Sequence, residues 1–137
     1  MLSKEVNYIK NYLDLERLRQ GKNVSINFEV EGEISEQKIA PLMFIPFIEN
    51  SFKHGISNQI SNGYVNIDLA IDGAQIYMTI ENSKAASLPS PSGKRSGGIG
   101  LKNVRRRLNL LYPERYKLAI EEDPNTYTVK LEIDLTK

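Results

Sequence analysis

Apolar residues recur at helical spacing in three stretches of this chain and alternate with polar ones in five. Across residues 3–20, Val6, Ile9, Leu13 and Leu18 follow a helical period, and Tyr8, Tyr12 and Leu15 widen the apolar face. Gly21 supplies a stop, and Arg17 and Arg19 suit the negative end of the helix before it. So wide a face has two uses: packing on the domain's own core, or pairing with a helix or second subunit outside the chain. A second helix is predicted over 41–56, with Pro41 as an early residue and Ile45, Ile48, Phe52 and Ile56 as its stripe. Pro46 kinks that helix or marks its true start. A third follows Gly100, with Leu101, Val104, Leu108 and Leu111 as its core positions.

The alternating runs are Val24–Val30, Val65–Ile71, Ile76–Ile80, Tyr116–Ile120 and Thr126–Leu135. Asn62-Gly63 reads as a turn, Asp72-Gly73 as a tight hairpin, and Asp123-Pro124-Asn125 as the bend of a second hairpin. Residues 83–98 are poor in large apolar side chains and rich in Ser, Pro, Gly and Lys, the pattern of a functional or mobile loop. Strands beside helices without regular alternation predict an α+β two-layer sandwich.

Composition narrows the possibilities. With 137 residues the chain is expected to form one domain, and its 40% apolar and 26% charged residues are those of an ordinary globular protein. The formal net charge of +1 provides no general field for nucleic acid, and the Arg105-Arg106-Arg107 run fans around a helix instead of forming a stripe. Direct nucleic-acid binding is therefore not expected. The absence of cysteine removes disulfides, thiolate zinc sites and cysteine nucleophiles, and a cytoplasmic setting is expected.

Two segments carry chemistry. In the first, Asn50, Lys53 and His54 stand at i, i+3 and i+4, off the apolar stripe. A lysine ammonium suits phosphate, and an asparagine carbonyl is a neutral oxygen ligand of the kind magnesium accepts. The same residues also fit a solvated helix end with a Glu49–Lys53 ion pair. In the second segment, Gly97, Gly98 and Gly100 precede a helix whose first N–H groups lack internal partners, where a backbone can approach an anion. It is neither a P-loop nor a dinucleotide fingerprint.

Pro46-Phe47-Ile48-Glu49-Asn50-Ser51-Phe52-Lys53-His54-Gly55 resembles the N box of the histidine-kinase and gyrase type of ATP-binding fold, and Gly97-Gly98-Ile99-Gly100-Leu101-Lys102-Asn103-Val104 resembles its G2 box. The wording is similar to that of the LytS-type sensor histidine kinases. The stretch from Glu5 to Arg19 is similar to the end of their dimerisation helix, and the resemblance covers essentially the whole chain. It implies a mixed, mostly antiparallel sheet with helices on one face. It further implies a dimerisation-helix segment over 1–21, an ATP-binding catalytic domain over 22–137, and a lid at about 83–98.

By position, the resemblance implies that Asn50 ligates Mg2+, that Lys53 and His54 contact phosphate or its water shell, and that Gly98, Gly100 and Leu101 belong to the cofactor-binding turn. The family's adenine-receiving Asp-x-Gly-x-Gly is missing. Strand phase puts Asn82 on the face of Ile76, Met78 and Ile80, with Glu81 one residue out of phase as the adjacent candidate. Pro46 stands where hydrolytic members of the fold carry a glutamate, which suits phosphoryl transfer. The acceptor histidine is expected upstream of residue 1. The implied partners are that upstream dimerisation and phosphotransfer helix and a response regulator, within a homodimeric parent anchored in the inner membrane. The rival reading is a degenerate ATPase-like fold that serves as a protein-docking module.

Overall fold

A computed structural model describes residues 1–21, 24–54, 63–83 and 98–136. Its elements are α1 (Leu2–Gln20), β1 (Val24–Glu31), α2 (Ile45–His54), β2 (Gly63–Asp72), β3 (Gln75–Ser83), α3 (Gly98–Leu111), β4 (Tyr116–Glu122) and β5 (Thr126–Asp134). Residues 84–97 of the lid expected at about 83–98, together with Ile56 and Asn62, lie outside the described residues.

The strands form one sheet in the order β1-β2-β3-β5-β4. The β1–β2 pair is parallel and the other three pairs are antiparallel. Register brings the apolar phases of all five strands to one face. Phe28, Ile67, Ile80, Val129 and Ile120 form one cross-strand row, and Val30, Leu69, Met78, Leu131 and Leu118 form the next. The middle three strands of each row are almost wholly buried. The helices cover this face, with α2 against β3 and α3, and α1 against β1. The expected two-layer α+β sandwich is therefore present.

The β2–β3 hairpin closes through Gly73 and Ala74. Gly73 has φ 61 and Ala74 is not in the left-handed region, the pattern of a II′ turn. At the end of β1, Gly32 has φ 95, and a Cβ there would stand 2.0 Å from the Ile71 carbonyl oxygen. Only glycine lets the chain leave the sheet so close to β2.

Two sequence expectations are corrected, and a third, left open, is resolved. The second helix begins at Ile45 and not at 41, so Pro46 sits in the first turn, where its missing N–H has no helical partner to lose. In α3, Leu111 is 45% exposed and Tyr112, beyond the helix, takes the next core position. The wide face of α1 divides in two. Leu2, Val6, Ile9 and Leu13 are buried on the domain's own core, whereas Tyr8, Leu15 and Leu18 are exposed. Past Leu13 the core side is occupied by Glu16, which accepts hydrogen bonds from Tyr12, Arg19 and Gln20. Gly21 ends α1 at φ 71, with its N–H donating to the Arg17 carbonyl.

Candidate functional site

The strand ends under α2 carry a short polar row within an apolar face. Val65, Asn82, Tyr127 and Glu122 are successive cross-strand partners. Asn82 is fully buried, in phase with Ile76, Met78 and Ile80 as the alternation required. Its Nδ2 donates to the Ser83 carbonyl at 2.9 Å. A carbonyl oxygen can only accept, so this contact fixes which end of the amide is which. Oδ1 is then left buried with no hydrogen-bond partner among the described residues. An orphaned buried acceptor costs about 1–3 kcal/mol, which a ligand bearing an N–H donor would recover.

Asn50 reaches the same region from α2. It is 9% exposed, and its Nδ2 donates to the Tyr127 hydroxyl at 3.1 Å. In this arrangement Oδ1 is the acceptor end of the amide. Ser51, the next residue, is fully buried, and its Oγ also has no partner among the described residues. Lys53 is exposed on the same helix, and His54 is its last residue.

Glu81 is separated from this group. It lies on the open face of β3, where the Tyr64 hydroxyl donates to its Oε2 at 2.6 Å. That hydrogen bond, with partial burial, pushes the Tyr64 phenol up to about 12. Tyr64 N–H also donates to Ser83 Oγ at 2.9 Å, so β2 steadies the backbone that holds Asn82.

The glycine segment enters the helix earlier than its sequence suggests. Gly98 and Gly100 lie inside the first turn of α3, and Leu101 is buried in the core. The first N–H groups of that helix have no intrahelical acceptor. Among the described residues no three His, Cys, Asp or Glu side chains converge on a metal position. A divalent ion here would take Asn50 Oδ1 and draw its other oxygens from the ligand and water, a donor set that suits magnesium.

Tyr127 escaped the sequence reading. Its signal was available: it is in phase with Val129, Leu131 and Ile133, so a phenol was bound to lie on the covered face near the strand end.

No family model matches the chain. It is 28% identical over 127 residues to the sensor histidine kinase BtsS of Escherichia coli, covering 93% of this chain and 22% of that protein. It is 25% identical over 132 residues to the sensor protein LytS of Bacillus subtilis, covering 89% of this chain and 22% of that protein. The chain thus spans about a fifth of the length of these curated relatives. Among solved structures, the nucleotide-free catalytic domain of the histidine kinase ThkA matches with a TM-score of 0.68 at 18% identity, covering 98% of this chain and 94% of that one. ThkA in complex with the response regulator protein TrrA matches with a TM-score of 0.67 at 16% identity, covering 98% of this chain and 40% of that one. The chain is a homologue of the LytS-type sensor histidine kinases and has the fold of a histidine kinase catalytic domain.

Proposed function

We propose that this domain binds ATP with magnesium and donates the γ-phosphoryl group to a histidine outside these 137 residues. The observation that carries the reading is the unmatched Oδ1 of fully buried Asn82, set in a row with the phenol that holds Asn50. Asn82 Oδ1 would accept from the adenine amino group, as a neutral counterpart of the family's carboxylate. Asn50 Oδ1 would ligate magnesium, which when bound neutralises phosphate charge. Lys53 and His54 would contact the phosphates or their water shell. Gly98 and Gly100 would bring backbone N–H groups to the triphosphate at the start of α3, with residues 84–96 as the lid over it.

Transfer of this kind requires positioning and charge neutralisation more than covalent chemistry from the domain. The bond from the γ-phosphorus to the bridging oxygen breaks, a bond from phosphorus to an imidazole nitrogen forms, and ADP departs. Pro46 gives that helix position no carboxylate to activate water, which favours transfer over hydrolysis.

In the parent protein, α1 would continue an upstream dimerisation helix that bears the acceptor. Exposed Tyr8, Leu15 and Leu18 leave it a free apolar side for that role. A homodimeric, membrane-anchored parent and a response-regulator partner follow from the same reading. The ThkA–TrrA complex supplies a precedent for such a partner. No described helix is long and apolar enough to cross a membrane.

The test is titration with a fluorescent ATP analogue, with and without magnesium. Magnesium-dependent binding is expected, and Asn50→Ala should abolish the dependence. No binding under either condition would reject the reading and leave the docking module in its place.

A further inference from the structure

Of the three consecutive arginines on α3, Arg105 and Arg106 are exposed, whereas Arg107 is partly buried. Its guanidinium forks onto two successive backbone carbonyls: Nη2 donates to the Pro41 oxygen at 2.8 Å, and Nη1 to the Leu42 oxygen at 3.2 Å. The other side of the same residue is held from α1. Glu5 is 6% exposed, and its Oε2 accepts the Leu42 N–H at 3.0 Å. A third tie joins Ala40 N–H to the Tyr112 hydroxyl at 2.9 Å, just past the end of α3.

Leu42 is therefore bound at both its N–H and its carbonyl, by two different helices. It has φ 56, a left-handed conformation that a leucine keeps only where its surroundings enforce it. Two residues on, the Phe44 carbonyl accepts from Phe47 and Ile48, and α2 begins at Ile45. No slack separates the clamped residue from the helix that carries Asn50.

We infer that Arg107 is a positioning residue of the nucleotide site. It ties the start of α2 to α3, and so fixes Asn50 relative to the turn that holds Gly98 and Gly100. A planar fork suits two adjacent carbonyls, and a lysine ammonium on a flexible stem does not reproduce it. Without the fork, Leu42 is released on one side and relaxes from its left-handed conformation, and the α2 start shifts with it. The functional half of this inference rests on the ATP and magnesium reading; the structural half does not.

The test compares Arg107→Ala, Arg107→Lys and Arg106→Ala with the parent domain. For each, nucleotide affinity is measured in chelator and across a magnesium titration, and amide hydrogen exchange is followed. In Arg107→Ala the half-saturating magnesium should rise by about tenfold, the scale of one lost charge-assisted hydrogen bond, while affinity in chelator changes by less than about threefold. Exchange should quicken from Leu42 through α2 and stay unchanged in the β2–β3 hairpin. Arg107→Lys should recover part of both effects, and Arg106→Ala should match the parent.

Unchanged magnesium dependence in a folded Arg107→Ala overturns the positioning role. So does an equal loss of affinity with and without magnesium. If Arg107→Ala does not fold, the Lys variant carries the same comparison. If the parent binds no nucleotide at all, the proposed function fails, and the exchange data alone decide whether the clamp exists.

Discussion

The two faces of the sheet treat polar groups differently. On the open face they are numerous and matched across strands. Asn27 Nδ2 donates to Asn66 Oδ1 at 2.9 Å, Tyr64 to Glu81 at 2.6 Å, and Lys130 lies 3.7 Å from Glu121. On the covered side they are few, and three of their atoms (Asn82 Oδ1, Ser51 Oγ and Glu5 Oε1) are buried without partners among the described residues. Water can serve any group on the open face, so pairing there contributes little. Under the helices an unmatched acceptor has no such recourse. Asn82 lies at the proposed ligand position, so there the difference marks an acceptor that the fold itself leaves unmatched.

The comparison can be broken at three points. The largest effect belongs to the apolar ground of the covered face. Ile80→Ala, at a fully buried position between Ile67 and Val129, should cost about 2–5 kcal/mol of unfolding free energy in urea melts. A cost under about 1 kcal/mol would mean that this face is not the close-packed core that makes orphaned atoms expensive.

The next test puts a charge where the orphan sits. Asn82→Asp places a carboxylate beside the Ser83 carbonyl with no donor opposite it, and should destabilise the nucleotide-free domain by about 3 kcal/mol near neutral pH. Burial raises the folded-state pKa of such a group. The variant is therefore least penalised below the unfolded value of about 4, and the penalty grows as pH rises through the folded value. Thermal melts at pH 4 and pH 8 against the parent measure this. A gap that is the same at both would show that water reaches the position. ATP should narrow the gap at pH 8 if the adenine amino group is the missing donor.

The smallest effect lies on the open face. Tyr64→Phe should cost less than about 1 kcal/mol at neutral pH and leave nucleotide binding unchanged. The Tyr64 phenol is held protonated up to about 12, against an ordinary value near 10. Its contribution is complete below about pH 10 and is lost as pH rises through the folded value. The stability difference between parent and variant should therefore close between those limits. A Tyr64→Phe variant with weakened nucleotide binding would show that the open face also serves the site.

The sequence made the periodic parts of this molecule readable. Strand alternation placed Asn82 on the covered face from the phase of Ile76, Met78 and Ile80 alone, because a period of two leaves no freedom between register and facing. The N-terminal limit of α2 was harder. Pro46 permits either a kink or a start, and the choice is made by Leu42, whose left-handed backbone depends on Glu5 and Arg107 from distant segments. The facing of Tyr127 was legible from its strand phase, but its bond to Asn50 was not, nor was that of Arg107 to Pro41 and Leu42. Each acts through a bond to a residue far away in sequence, and no local pattern records the partner. Of the three consecutive arginines, which the sequence shows only as fanning around a helix, Arg107 is the one whose guanidinium reaches the segment before α2.

The parallel pairing of β1 with β2 bears on how the domain assembles. The antiparallel β2–β3 hairpin closes through a two-residue loop, whereas Asn27 and Asn66, partners across the parallel pair, are 39 positions apart. The helix bearing Asn50 lies inside that long excursion. Contacts of such separation are expected to form late, after local hairpins have reduced the chain's freedom. Under the ATP and magnesium reading, acquisition of binding during refolding would then lag behind closure of the β2–β3 hairpin.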